Sequence, residues 1–267
     1  MRSCRTSTLI ALSSVTILAL SACSGGAAAG ASKSGVPLVQ AKTLVACTQL
    51  PYRPFEFNDA SGKIVGFDID MVSEVAKDLK VTPEIVDTPF EGIQTGDDLT
   101  TGKCDIAASG ITITDVREKA FNFSTPYFDA TQALLVKTGS KVASIHDLTG
   151  KKLGVQQGTT GEIYAKSNAP GAQLVQFEDL ALLETAVQTG QIDAAINDNG
   201  VLLDFAKSNH DVKVAAELAT AEKYGLGVKT GNKTLLAAVN KTLVRIKADG
   251  TYDALYTKWF GKAPASK

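Results

Sequence analysis

Residues 109–127, SGITITDVREKAFNFSTPY, set one arginine, Arg117, among small polar groups suited to holding a carboxylate. Gly110 lets a backbone N–H approach a ligand closely, Thr112 adds a hydroxyl, and the Arg117 guanidinium offers a planar fork of donors that matches a carboxylate bidentately. No nucleophile accompanies them. The competing reading is an arginine that caps or salt-bridges a surface helix, as most arginines do.

Outward from this stretch, the chain alternates short apolar runs with amphipathic helical segments, the pattern of an α/β protein. The runs predict strands at 43–48, 106–109, 133–137, 152–155, 194–196 and 225–228. Helices are predicted at 69–79, 180–189, 199–206 and 235–248. The last of these keeps Leu235, Val239, Leu243 and Ile246 on one face, with Gly250 as a stop signal. Trp259 and Phe260 read as packing for a closing helix.

The N-terminus carries Arg2 and Arg5, then apolar residues 9–20, then Leu20-Ser21-Ala22-Cys23. These are the charged, hydrophobic and small-residue parts of an export signal, too short to span a bilayer comfortably. The cysteine resembles that of a bacterial lipobox, so residues 1–22 are expected to leave as a leader and Cys23 to carry lipid. Residues 24–35 are almost all Gly, Ala and Ser, a composition that cannot bury a core and suits a flexible tether over 23–37. Removing Arg2 and Arg5 takes the formal charge from −1 to about −3, since the leader holds no acid. No basic footprint points to nucleic acid.

In the exported part the cysteines are Cys47 and Cys104. Export suggests a disulfide, whereas a register with both residues on neighbouring parallel strands would hold their Cα atoms apart, and the sequence leaves the two readings open. The histidines, His146 and His210, show no ligand spacing with either cysteine, so no metal and no cofactor is expected.

The ordered markers PFEF (54–57), GFDIDM (66–71), GITITDVREKAFNFSTPY (110–127), DLTGKKLGVQQGTTGE (147–162) and GTYDALYTKWFG (250–261) resemble those of the extracellular solute-binding proteins of bacterial ABC importers, in particular the polar amino-acid family. The resemblance runs from Val39 to Lys262. It implies a two-lobed periplasmic-binding-protein fold of type II, each lobe a mixed sheet flanked by helices, with the ligand clamped in a cleft between them. Lobe 1 would take 38–128 and the return segment 225–267, lobe 2 would take 132–221, and the crossovers would fall near 129–131 and 221–224.

Carried over residue by residue, the ligand's carboxylate would meet Arg117, Thr112 and the Gly110 backbone, completed by Thr159 and Thr160 at a helix N-terminus. An ordinary N-cap is the plainer reading of that turn. Asp198 would accept the ligand's ammonium, or cap the helix that follows it. Tyr52 and Phe90 would wall the cleft, with core packing as the alternative. Gln49 and Gln156 stand where some relatives carry aspartate and lysine, which favours an uncharged polar side chain, glutamine or asparagine, with glutamate admitted only if Arg53 adds positive charge. Arg53 either adds positive charge at the mouth or faces solvent, and Glu91 and Glu56 cannot be aimed. Residues 91–99, EGIQTGDDL, depart from the family's apolar helix, so an irregular or shifted helix is expected. The expected protein is a monomeric, lipid-anchored, non-enzymatic receptor on the outer face of the membrane, delivering ligand to a permease and ATPase. A dehydratase of cyclohexadienyl acids on the same scaffold, or a sensor without transport, is the alternative.

Overall fold

The computed structural model describes residues 30–31 and 35–264 of the chain. Two five-stranded sheets organise it. In the first, Thr43–Thr48 lies between Thr82–Asp87 and Ile106–Ala107 with all three parallel, and Gly227–Val228 returns antiparallel between Ile106–Ala107 and Asn122–Phe123. In the second, Gln173–Phe177, Lys152–Gln156 and Ala194–Asp198 run parallel, followed by antiparallel Phe128–Lys137 and Val212–Tyr224. Parallel strands buried on both faces read as apolar runs. That is why Thr43–Thr48 and Lys152–Gln156 stood out in the sequence.

Four helices bear out the apolar spacing. Phe67–Leu79 buries Met71, Val72, Val75 and Ala76, and the reversal after it is taken by Lys80 in the left-handed region (φ 57°). Lys233–Ala248 buries the anticipated face of Leu235, Val239, Leu243 and Ile246 and begins two residues early, because Asn232 caps it through Leu235 N–H. Leu180–Thr189 and Asn199–Ser208 flank the second sheet. The stretch after Phe90 is broken into two short helices, Phe90–Gln94 and Asp97–Thr100, with Gly96 at φ 79° between them. The expected departure from one apolar helix is therefore present.

Two strands join the sheets. Phe128–Lys137 and Val212–Tyr224 pair side by side where the chain crosses, with Phe128 opposite Tyr224 and Asp129 opposite Lys223. Aromatic packing locks their base: fully buried Phe55 makes edge-on contacts with Phe67, Phe128 and Tyr224, at 6.3, 5.0 and 5.3 Å between centroids. The closing helix Thr251–Phe260 adds Phe260 to this cluster, and Trp259 Nε1 donates to Asp70.

Three expectations are corrected. Cys104 does not lie on a strand parallel to that of Cys47; it precedes Ile106–Ala107, and Ala107 is the residue opposite Cys47. The two Cα atoms lie 5.7 Å apart and a disulfide joins them, which decides between the two readings the sequence left open. Second, the expected tether is partly built into the fold: Gly30–Ala31 pairs with Pro37–Leu38, and Val36 and Leu38 are buried in the core. Strand pairing uses backbone groups alone, so the small side chains did not forbid it. Third, Thr82–Asp87, Gln173–Phe177 and Val212–Tyr224 were not expected as strands, being half-exposed and weakly apolar. The leader and Cys23 lie outside the described residues.

Candidate ligand-binding site

All ten residues proposed from the sequence, together with Ser109, line one cavity between the two sheets. Arg117 sits on the short helix Asp115–Ala120, whose N-cap Thr114 accepts its backbone N–H. The side chain is turned inward and only 5% exposed, which sets aside the surface-arginine reading. Nη1 donates to the Thr112 carbonyl at 2.8 Å and Nη2 to the Gly158 carbonyl at 3.1 Å, and the guanidinium lies 5.4 Å from the centroid of Phe90. Burial lowers its pKa, and the negative fields of Asp198 and Glu222 oppose that. Two of its five N–H donors are thus engaged by carbonyls.

Asp198 closes the strand Ala194–Asp198 from the opposite side. It occupies the N-cap position of Asn199–Ser208 without making a side-chain cap, so the capping alternative fails. Its carboxylate accepts from Tyr52 Oη at 2.8 Å, from Tyr224 Oη and from Gln132 Nε2. Burial, then the like charge of Glu222, pushes its pKa from 3.8 to about 7 in spite of those hydrogen bonds.

The floor is built differently from the expectation at Gly110. Its N–H donates to Asp68 Oδ2 at 2.8 Å and is committed there. The position still demands glycine: φ is +51°, and a Cβ would lie 2.8 Å from the Tyr52 ring. Beneath it, Asp68 also accepts from Tyr127 Oη, and burial raises its pKa to about 6. Glu56, at 0% exposure, accepts from Ser109 Oγ, and burial followed by the charge of Asp68 pushes its carboxyl well above the usual range. Glu56 therefore belongs to the floor and not to the mouth.

Side chains from the two sheets meet across the cleft. Gln156 Nε2 donates to Gln49 Oε1 at 2.8 Å, and Tyr52 Oη reaches Asn197 Oδ1 at 2.8 Å. Phe90 serves both readings, packing with Val45 and Ile93 while one side lines the cavity. Thr159 is the N-cap of Thr160–Asn168, accepting from Glu162 N–H, and Gly158 N–H is held by the Glu162 carboxylate. That helix start therefore spends part of its donor set on itself. Arg53 lies outside the cleft, paired with Asp204 at 3.3 Å and stacked on Phe57. Glu91 is exposed and accepts from Gln94. Thr112 and Thr160 both donate to Glu222, a residue the sequence reading missed. Its only sequence signal is a two-residue step from Tyr224. With these contacts in place the cavity measures about 20 Å³, roughly the room one water needs.

The profile of the bacterial extracellular solute-binding proteins, family 3, matches residues 44–262. The chain belongs to this family. It is 36% identical over 219 residues to the ABC transporter glutamine-binding protein GlnH of Bacillus subtilis (strain 168), covering 78% of this chain and 77% of that one. Among solved structures, an ancestral arginine-binding protein bound to glutamine is 42% identical with a TM-score of 0.80, covering 84% of this chain and all of that one. An ancestral amino acid-binding protein described as a precursor of cyclohexadienyl dehydratase is 41% identical with a TM-score of 0.75, covering 82% and 95%. As a member of the family, this chain has the type II two-sheet architecture expected of it. No helix among the described residues is long and apolar enough to cross a membrane.

Proposed function

We propose that the protein is the receptor of an ABC importer for an L-amino acid, closing over its ligand and presenting it to a permease and ATPase, and that it is a monomer held to the membrane by lipid on Cys23. The carrying observation is that Arg117 and Asp198, supported from opposite sheets, face one buried cavity. A guanidinium and a carboxylate so placed read the two groups common to every amino acid. The named relatives bind glutamine or arginine, and in this chain the neutral Gln49–Gln156 pair favours a polar uncharged side chain, glutamine or asparagine ahead of glutamate. Titration calorimetry of the protein from residue 24 onward against the twenty amino acids, cystine and prephenate tests this. Saturable heat with glutamine, asparagine or glutamate and no product formed supports the reading.

A second reading has one observation in its favour. Asp198, with a pKa of about 7, is poised to give or take a proton near neutral pH. Turnover of prephenate, with silence toward every amino acid, would replace the receptor by a dehydratase.

A further inference from the structure

Glu222 lies on Val212–Tyr224, two residues before Tyr224, so both side chains leave the strand on the same face. The pairing with Phe128–Lys137 is irregular just before it: from Leu218 opposite Gln132 to Glu222 opposite Ala130, one strand advances four residues and the other two. Ala221, within that bulge, has a φ of +53°, a region alanine seldom adopts. Bulges of this kind re-aim side chains beside functional sites.

The side chain so aimed finds donors from both sides of the cleft. Oε2 accepts from the Thr112 hydroxyl and from the Thr160 hydroxyl, each at 2.8 Å, and Oε1 accepts from Gln132 Nε2 at 3.0 Å. Thr112 belongs to the segment after Ile106–Ala107 of the first sheet, while Thr160 opens a helix beside the second. Arg117 feels the Glu222 charge as a favourable field. Two hydroxyls and a guanidinium are the donors assigned above to the ligand's carboxylate.

We propose that Glu222 is an internal occupant of that subsite: its carboxylate takes the donors that an amino-acid carboxylate would take, so the ligand must displace it. The proposal rests on the reading of the Arg117 corner as a carboxylate site. Filling that corner with an internal anion keeps Arg117 beside a counter-charge and the two hydroxyls hydrogen-bonded. It also links the two ends of the ligand, because departure of Glu222 removes a like charge from Asp198 just as an ammonium arrives.

The test compares wild type, E222A and E222Q as the full chain from residue 24. Acetate should fill the vacated subsite, so sodium acetate at tens of millimolar should raise the Tm of E222A by several degrees more than sodium chloride of equal ionic strength, with no such difference in wild type. In calorimetry, both variants should bind L-glutamine at least about fivefold more tightly, whereas L-glutaminamide, which lacks the carboxylate, should gain nothing. Equal or weaker L-glutamine binding in the variants would overturn the proposal by making Glu222 a ligand contact or a structural residue. An E222A that responds alike to acetate and chloride would overturn it too; if E222A fails to fold, the sign of the change in E222Q decides. Acetate stabilisation of E222A alongside silence of all three proteins toward every amino acid would sink the receptor reading while upholding the Glu222 assignment. Tight binding left unchanged by E222Q would do the reverse.

Discussion

Affinity for an amino acid should collapse in mild acid, and Asp198 should be the cause. This carboxyl titrates at about 7, because burial and the neighbouring Glu222 disfavour its charge. An ammonium needs the ionised form, so proton and ligand compete. For a competing proton with a pKa of about 7, the apparent Kd rises tenfold per pH unit below 7, roughly 100-fold between pH 8 and pH 5. The sign follows from the direction of the shift: a raised pKa means that below about 7 a proton is bound where the ammonium must go. The ligand's own carboxylate and ammonium keep their charges across this range. Calorimetric titration with L-glutamine at half-unit steps, repeated on D198N, measures it. Asp68 and Glu184, with pKa values raised by burial to about 6 and about 8, titrate in the same window, and D198N retains both. A wild-type change below about threefold, or an equal slope in D198N, would refute the assignment of Asp198 to the ammonium.

Three further outcomes are expected. Arg117→Ala should weaken amino-acid binding by about tenfold or more, the size of one lost charge-assisted hydrogen bond of about 1.5–3 kcal/mol; a Kd within about threefold of wild type would remove Arg117 from the carboxylate site. Reducing the Cys47–Cys104 bond, or replacing both cysteines by serine, reopens a loop with a sequence separation of 57; chain entropy puts the loss at about 4 kcal/mol, readable in urea unfolding, and a change under about 1 kcal/mol would show that the bond constrains little. Gln49→Asp gives up the contacts to Gln156 and to the Glu178 carbonyl and brings a carboxylate to the wall. The ratio of arginine to glutamine affinity, measured by competition, should rise by about tenfold, and an unchanged ratio would place the ligand side chain elsewhere.

The cleft was legible in the sequence where chemistry is local. Arg117, Thr112 and Gly110 fall within one short stretch, and Asp198 follows an apolar strand that makes an unpaired carboxylate conspicuous. What escaped depends on distant pairings. The Gly110 amide is taken by Asp68, 42 residues away in sequence, and nothing in the local pattern announces that bond. The segment 212–224, VKVAAELATAEKY, is alanine-rich and weakly alternating, so its strand character comes from pairing with Phe128–Lys137 and not from its own residues. Glu222 went unseen with it, since a bulge and one left-handed alanine decide where that side chain points. The disulfide was undecidable for the same reason: Cys104 lies just before Ile106–Ala107, and where the chain carries it relative to Cys47 is a tertiary matter.

The tightness of the cleft has a kinetic consequence. A cavity of about 20 Å³ admits no amino acid, so capture has to pass through an opened form that breaks contacts such as Tyr52 to Asn197 and Gln156 to Gln49. Association should then speed up with ligand concentration only until opening itself becomes the slow step, and level off there. The height of that plateau is a property of the protein alone. Every amino acid the receptor accepts should reach the same one, however different their affinities, because selectivity would be written in how long each stays.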